Sequence, residues 1–126
     1  MNSLFTKIVR IVLGLALVIF GANMIHHFIP MDQPDMNTEA GKFMYSLGAT
    51  GYIFPVVGFF EVIIGIMLLL KKWVAFALIL LAPISINILL FHLFLDIPGL
   101  SIALVIVVFN GILIFKHWPQ YKPLFY

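Results

Sequence analysis

The stretch Tyr52-Ile-Phe-Pro-Val-Val-Gly-Phe-Phe-Glu-Val-Ile-Ile-Gly-Ile-Met-Leu-Leu-Leu70 decides the fold. Its 19 residues hold a single charge, Glu61, nine residues from either end. A run of this length and polarity is a candidate membrane helix. Three more runs flank it: Ile11 to Met31 (21 residues with no Asp, Glu, Lys or Arg), Trp73 to Leu95, and Ile97 to Phe115. As a helix the first of these is about 32 Å long, enough to cross the hydrocarbon core. None shows period-2 alternation, which favours helices over a barrel. The expected class is therefore all-α, an integral membrane four-helix bundle in one domain, residues 1–126. Its spans are placed at about 8–29, 52–70, 73–95 and 97–116.

Composition agrees. Of 126 residues 63% are hydrophobic and 10% charged, whereas a soluble domain carries roughly a quarter charged residues. The absence of cysteine excludes a disulfide framework, thiol redox catalysis and Cys-ligated zinc or iron–sulfur centres. Seven scattered basic residues form no stripe for nucleic acid. The first run is too long for a signal-peptide core, and Gly21-Ala-Asn23 is a poor cleavage site, so it reads as a retained helix.

Charge sets the expected orientation. Lys7, Arg10, Lys71, Lys72, Lys116 and Lys122 fall on one face of a four-span topology. Lys42 lies on the other with Asp32, Asp35, Glu39 and Asp96. The positive-inside rule puts both termini in the cytoplasm. Trp73, Trp118, Tyr52 and Tyr121 fall near span ends, where amphipathic rings anchor.

The external loop, residues 30–51, begins with two prolines in an extended or turn-like segment. A short amphipathic helix is expected over about 39–48, N-capped by Thr38, with Ala40, Phe43, Met44 and Leu47 on one face. The favoured reading is a connector resting on the bundle; a lid over an outward-facing pocket is the alternative.

Helices one and two share a Gly-x6-Gly spacing at a fixed offset of 44: Gly14 and Gly21, then Gly58 and Gly65. Glycines seven apart lie on nearly the same face and admit a close neighbouring backbone. These stripes are expected to pack the two helices together. Pro83 is expected to kink or loosen the third.

Ionisable groups at membrane depth are expensive and are functional candidates by default. Glu61 is the clearest, as proton carrier, ligand anchor or metal ligand; its alternative role is a protonated acid gluing helices together. Asn23, His26 and His27 fall on one face of helix one, and Asn87 and His92, with Asp96, on helix three. Ser85 is central and Asn110 lies towards the inner side. An outward-opening polar pocket floored by Glu61 satisfies them all. It suits a quinone held by His and Glu, a b-type haem between His26 or His27 and His92, or a metal on His26, His92 and Glu61. Against these stand interfacial histidines and a local His92–Asp96 bond. His117 reads as interfacial. No phosphate loop, HExxH or dinucleotide fingerprint occurs, and little chain lies outside the spans. Redox chemistry would then make this a subunit of a larger membrane complex.

Arg10-Ile-Val-Leu-Gly14 through Phe20-Gly21 resembles the opening of DoxX-type membrane proteins. Ala49-Thr-Gly-Tyr-Ile-Phe-Pro55-Val-Val-Gly58-Phe-Phe-Glu61-Val-Ile-Ile-Gly65 resembles their second helix, where a glutamate sits between glycines. Leu81-Ala-Pro83-Ile-Ser-Ile-Asn87-Ile-Leu-Leu-Phe-His92-Leu-Phe-Leu-Asp96 is similar to the third helix of a bacterial subgroup. The likeness spans roughly Lys7 to Tyr121. It implies a four-helix bacterial inner-membrane protein, similar to DoxD, a subunit of archaeal thiosulfate:quinone oxidoreductase. It further implies a quinone-linked accessory subunit in which Glu61 is the position carried over. A structural scaffold subunit is the alternative, and a small-solute or lipid carrier, working as a homo-oligomer, the third.

Overall fold

In a bilayer each backbone N–H and C=O must find its partner within the chain, so a long apolar run folds as helix. The computed structural model describes residues 3–26, 28 and 35–125, and no strand occurs among them. Its helices are α1 (Ser3–Ile25), α2 (Glu39–Ala49), α3 (Ile53–Leu70), α4 (Val74–Leu95), α5 (Leu100–Lys116) and the short α6 (Trp118–Tyr121). α1, α3, α4 and α5, the last with the turn before it, are long and apolar enough to cross a membrane. The chain is a multi-pass, all-α membrane bundle.

Two spans differ at their ends from the sequence expectation. α1 starts at Ser3 rather than near 8 and ends at Ile25 rather than 29. Lys and Arg are good helix formers, so Lys7 and Arg10 extend the helix instead of preceding it. At the other end the Phe28 N–H donates to Asn23 Oδ1 at 3.1 Å, pairing the chain as it leaves the helix. The fourth span opens with a 3-10 turn, Ile97–Gly99, and becomes α-helical only at Leu100. α4 runs through Pro83 without interruption, although proline supplies no N–H to its ladder.

The most extensive interface joins α1 to α3, and the next joins α4 to α5. In the first pair the helices are antiparallel, and glycine meets glycine across it. A Cβ on Gly21 would lie 2.7 Å from the Gly58 carbonyl oxygen, and one on Gly58 would lie 2.5 Å from that of Gly21. Gly14 and Gly65 repeat the arrangement two turns inward, at 3.1 and 2.7 Å. The helix backbones thus touch directly. Leu13, Leu17, Ile64, Leu68, Leu78, Leu81 and Leu113 fill the space between the four helices and are fully buried. The outer faces are apolar as well: Ile8, Leu15, Phe59, Phe76, Leu93 and Ile102 are all exposed, a surface suited to lipid.

At the end carrying Lys7 and Lys116, the α3–α4 turn is tight. Lys71 and Trp73 both have positive φ, 56° and 51°, which costs side-chain-bearing residues about 1–2 kcal/mol each. Arg10 reaches across to cap α3, its guanidinium Nη1 donating to the Leu68 carbonyl. Tyr121 Oη donates to the Ala75 carbonyl at 2.7 Å and holds α6 on the start of α4.

Burial pushes the Tyr121 phenol up to about 12. Above about pH 10 the unfolded chain ionises this group while the folded chain keeps it protonated, so stability falls as pH rises from there towards 12. Tyr121→Phe should flatten that part of a stability–pH profile measured in detergent. Gly21→Ala should destabilise the bundle by about 1–3 kcal/mol, since its methyl meets backbone. Gly111→Ala, whose Cβ meets nothing within 4 Å, should be tolerated. Thermal denaturation in detergent compares the two.

Candidate functional site

α2 is built as a roof. Thr38 caps it, its Oγ1 accepting the Gly41 N–H at 3.0 Å while donating to the Asp35 carbonyl at 2.8 Å. The Asp35 backbone crosses so close to Gly41 that a Cβ there would sit 1.9 Å from the Asp35 oxygen. This tight entry fixes the helix's roll. Phe43, Met44 and Leu47 point down, and the Phe43 ring stacks on Phe91 of α4 with centroids 5.6 Å apart.

Beneath the roof lies a cavity of about 480 Å³. Met24 closes it from α1, Ile53, Phe54 and Val57 from α3, and Pro83, Ile84, Asn87, Ile88, Phe91 and His92 from α4. Its walls are apolar and aromatic apart from Asn87 and His92. Asn87 Nδ2 donates one hydrogen to the Pro83 carbonyl at 2.8 Å, which leaves its second hydrogen and Oδ1 uncommitted to that bond. His92 Nδ1 lies 3.1 Å from both the carboxylate Oδ2 and the backbone oxygen of Asp96. Donation from Nδ1 makes Nε2 the acceptor nitrogen of the neutral ring. Gly99 makes room for the pair, for a Cβ there would lie 2.5 Å from the imidazole.

The polar residues singled out in the sequence do not form one pocket. Asn87 and His92 line the cavity, but Glu61, Asn23 and His26 do not. Glu61 is buried, at 4% exposure, one turn inward of Val57 and against α1, its Cβ 2.8 Å from where a Gly21 Cβ would be. The glycine contact draws α1 over it. The cavity is floored by apolar residues instead. Glu61 forms no hydrogen bond or ion pair with a described residue. No fully enclosed side-chain N or O among the described residues lacks a partner, so its carboxyl oxygens remain reachable by a water molecule.

Asn23 is buried and bonded to the Phe28 N–H. His26, just past the end of α1, is exposed whereas Asn23 is buried, so the two do not share one environment; His27 lies outside the described residues. Among the described residues no group of three or more His, Asp or Glu could hold a metal, so His26, His92 and Glu61 are not brought together. Ser85 and Asn110 bind each other, Oγ donating to Oδ1 at 2.9 Å, while Asn110 Nδ2 donates to the Leu78 carbonyl at 3.2 Å. This pair joins α4 to α5.

Sequence reasoning missed Met24, Phe54, Val57, Ile84, Ile88 and Phe91, because an apolar side chain lining a cavity looks like one facing lipid. It also missed Gly99, whose role depends on a histidine seven residues earlier. No protein-family model, curated protein or solved structure matches this chain.

A buried carboxyl with no partner among the described residues is poorly solvated at membrane depth, and such polar groups cost about 1–3 kcal/mol. Glu61→Met should therefore raise the melting temperature in detergent, whereas Glu61→Gln, which keeps a polar end, should not. A fall with Met would reveal a bonded partner.

Proposed function

We propose that the protein is a ligand-binding subunit of a membrane redox system, taking a flat, apolar head group with carbonyl or hydroxyl oxygens, of the quinone class, in the cavity beneath α2. The observation that carries this reading is the cavity itself: about 480 Å³, aromatic at the Phe43–Phe91 stack, with Asn87 and His92 as its polar side chains. Binding sites for small molecules are typically of this size and balance. An Asn87 N–H can meet a quinone carbonyl. The His92 Nε2 can accept a hydrogen bond from the hydroxyl of the reduced form, with Asp96 holding the ring in orientation. The DoxX-type resemblance around Gly58, Glu61 and Gly65 points to the same ligand class by analogy. Basic residues at one end of the bundle support an orientation with both termini cytoplasmic, and the DoxX-type resemblance supports a bacterial inner-membrane placement. A larger membrane complex would supply the electron-transfer partner.

A second reading is a structural subunit without a ligand. In its favour, Ser85, Asn110, Asn23 and His92 are all engaged in hydrogen bonds within the chain. Titration of the detergent-purified protein with a short-chain benzoquinone or naphthoquinone separates the two. Saturable binding that Phe43→Ala weakens about 2- to 10-fold is expected, an aromatic pair being worth about 0.5–1.5 kcal/mol. Absence of saturable binding to the folded protein would leave the structural reading standing.

A further inference from the structure

At the end of the bundle opposite α2, the starts of α1 and α4 meet the ends of α3 and α5, leaving a cleft of about 720 Å³. Lys7 and Arg10 line it from α1, Lys71 from the α3–α4 turn, and Lys116 and His117 from the end of α5. Three lysines and an arginine therefore converge on one concavity. The two ion pairs among the described residues, Lys42–Glu39 and His92–Asp96, are elsewhere. No described carboxylate pairs with any of the four.

Arg10 distinguishes this cleft from an ordinary basic surface. It is 8% exposed, and its guanidinium has the Leu68 carbonyl as acceptor. A carbonyl accepts a hydrogen bond but does not neutralise the charge, and a buried charge needs a counter-charge as well as hydrogen bonds. Guanidinium geometry matches paired oxygen acceptors, with further N–H groups besides the one on Leu68. Lys71 is held at the rim in a backbone conformation that costs energy, although glycine would fit the same αL cap without strain.

We propose that this cleft binds a phosphate-bearing anion, supplied by the head group of an anionic phospholipid. The lipid source follows from what borders the cations. Leu4, on the cleft wall, is 63% exposed and Phe115, beside Lys116, is 74% exposed. Acyl chains can run along these apolar faces of α1 and α5 while the phosphate sits against Arg10 and the lysines. Basic pockets between spans are recognised head-group sites.

Melting of the intact protein in neutral detergent tests the proposal, with phosphatidylglycerol, phosphatidylcholine or inorganic phosphate added at matched ionic strength. Phosphatidylglycerol should raise the melting temperature and phosphatidylcholine should not. The double variant Lys7→Gln/Lys116→Gln should need roughly 30-fold more phosphatidylglycerol for the same shift, at about 1 kcal/mol per cation and 1.4 kcal/mol per factor of ten. Lys71→Gly, which relieves the strained φ, should melt no lower than the parent without lipid yet lose part of the response. A response to inorganic phosphate as large as that to phosphatidylglycerol, and lost in the same variants, would keep the site and assign it a soluble source. No response to either, or equal responses from parent and double variant, would overturn it.

Discussion

The structure depends on the backbone contact between α1 and α3. In lipid there is no hydrophobic gain from bringing two apolar helices together, so association relies on close van der Waals packing and on hydrogen bonds. Gly14 against Gly65 and Gly21 against Gly58 let the two backbones touch. Leucine side chains then fill the remaining angle between helices. Position follows from this contact: α1 carries Met24 to the cavity wall, Arg10 to the end of α3, and its backbone over Glu61. The α4–α5 pair lacks such a stripe and uses the Ser85–Asn110 bond and the Asn110 contact with Leu78 instead.

Much of this was legible in the sequence. Long apolar runs revealed four helices, and Thr38 with the Phe43, Met44, Leu47 spacing revealed the amphipathic α2. Both signals are local: one residue type or period along one segment. What could not be read is mutual. The glycine spacing showed that two helices carry matching stripes, but not that closing them would cover Glu61. Depth along a helix suggested that Glu61, Asn87 and His92 share a pocket, yet depth says nothing of rotation about the axis. The 3-10 turn at Ile97–Gly99 was overlooked although Pro98-Gly99 is a turn signal, because it sits inside a stretch read only for its lack of charge.

The polar groups at membrane depth divide by what they do with their hydrogen bonds. Ser85, Asn110 and Asn23 satisfy theirs within the chain and hold the fold in register. Asn87 and His92 each have a local partner and keep further hydrogen-bonding capacity on a cavity wall. Glu61 is the exception, buried with no described partner. Such a group persists where surrounding packing holds it in place, and here that packing is the glycine contact.

The cavity under α2 and the basic cleft lie at opposite ends of one seam. On one side of it is the α1–α3 pair, on the other the α4–α5 pair, and the Lys71–Trp73 turn connects them. The two openings are separated by the thickness of the bundle, yet α1 lines both, with Met24 at one end and Lys7 and Arg10 at the other, so a molecule seated at either end would rest against the same helix.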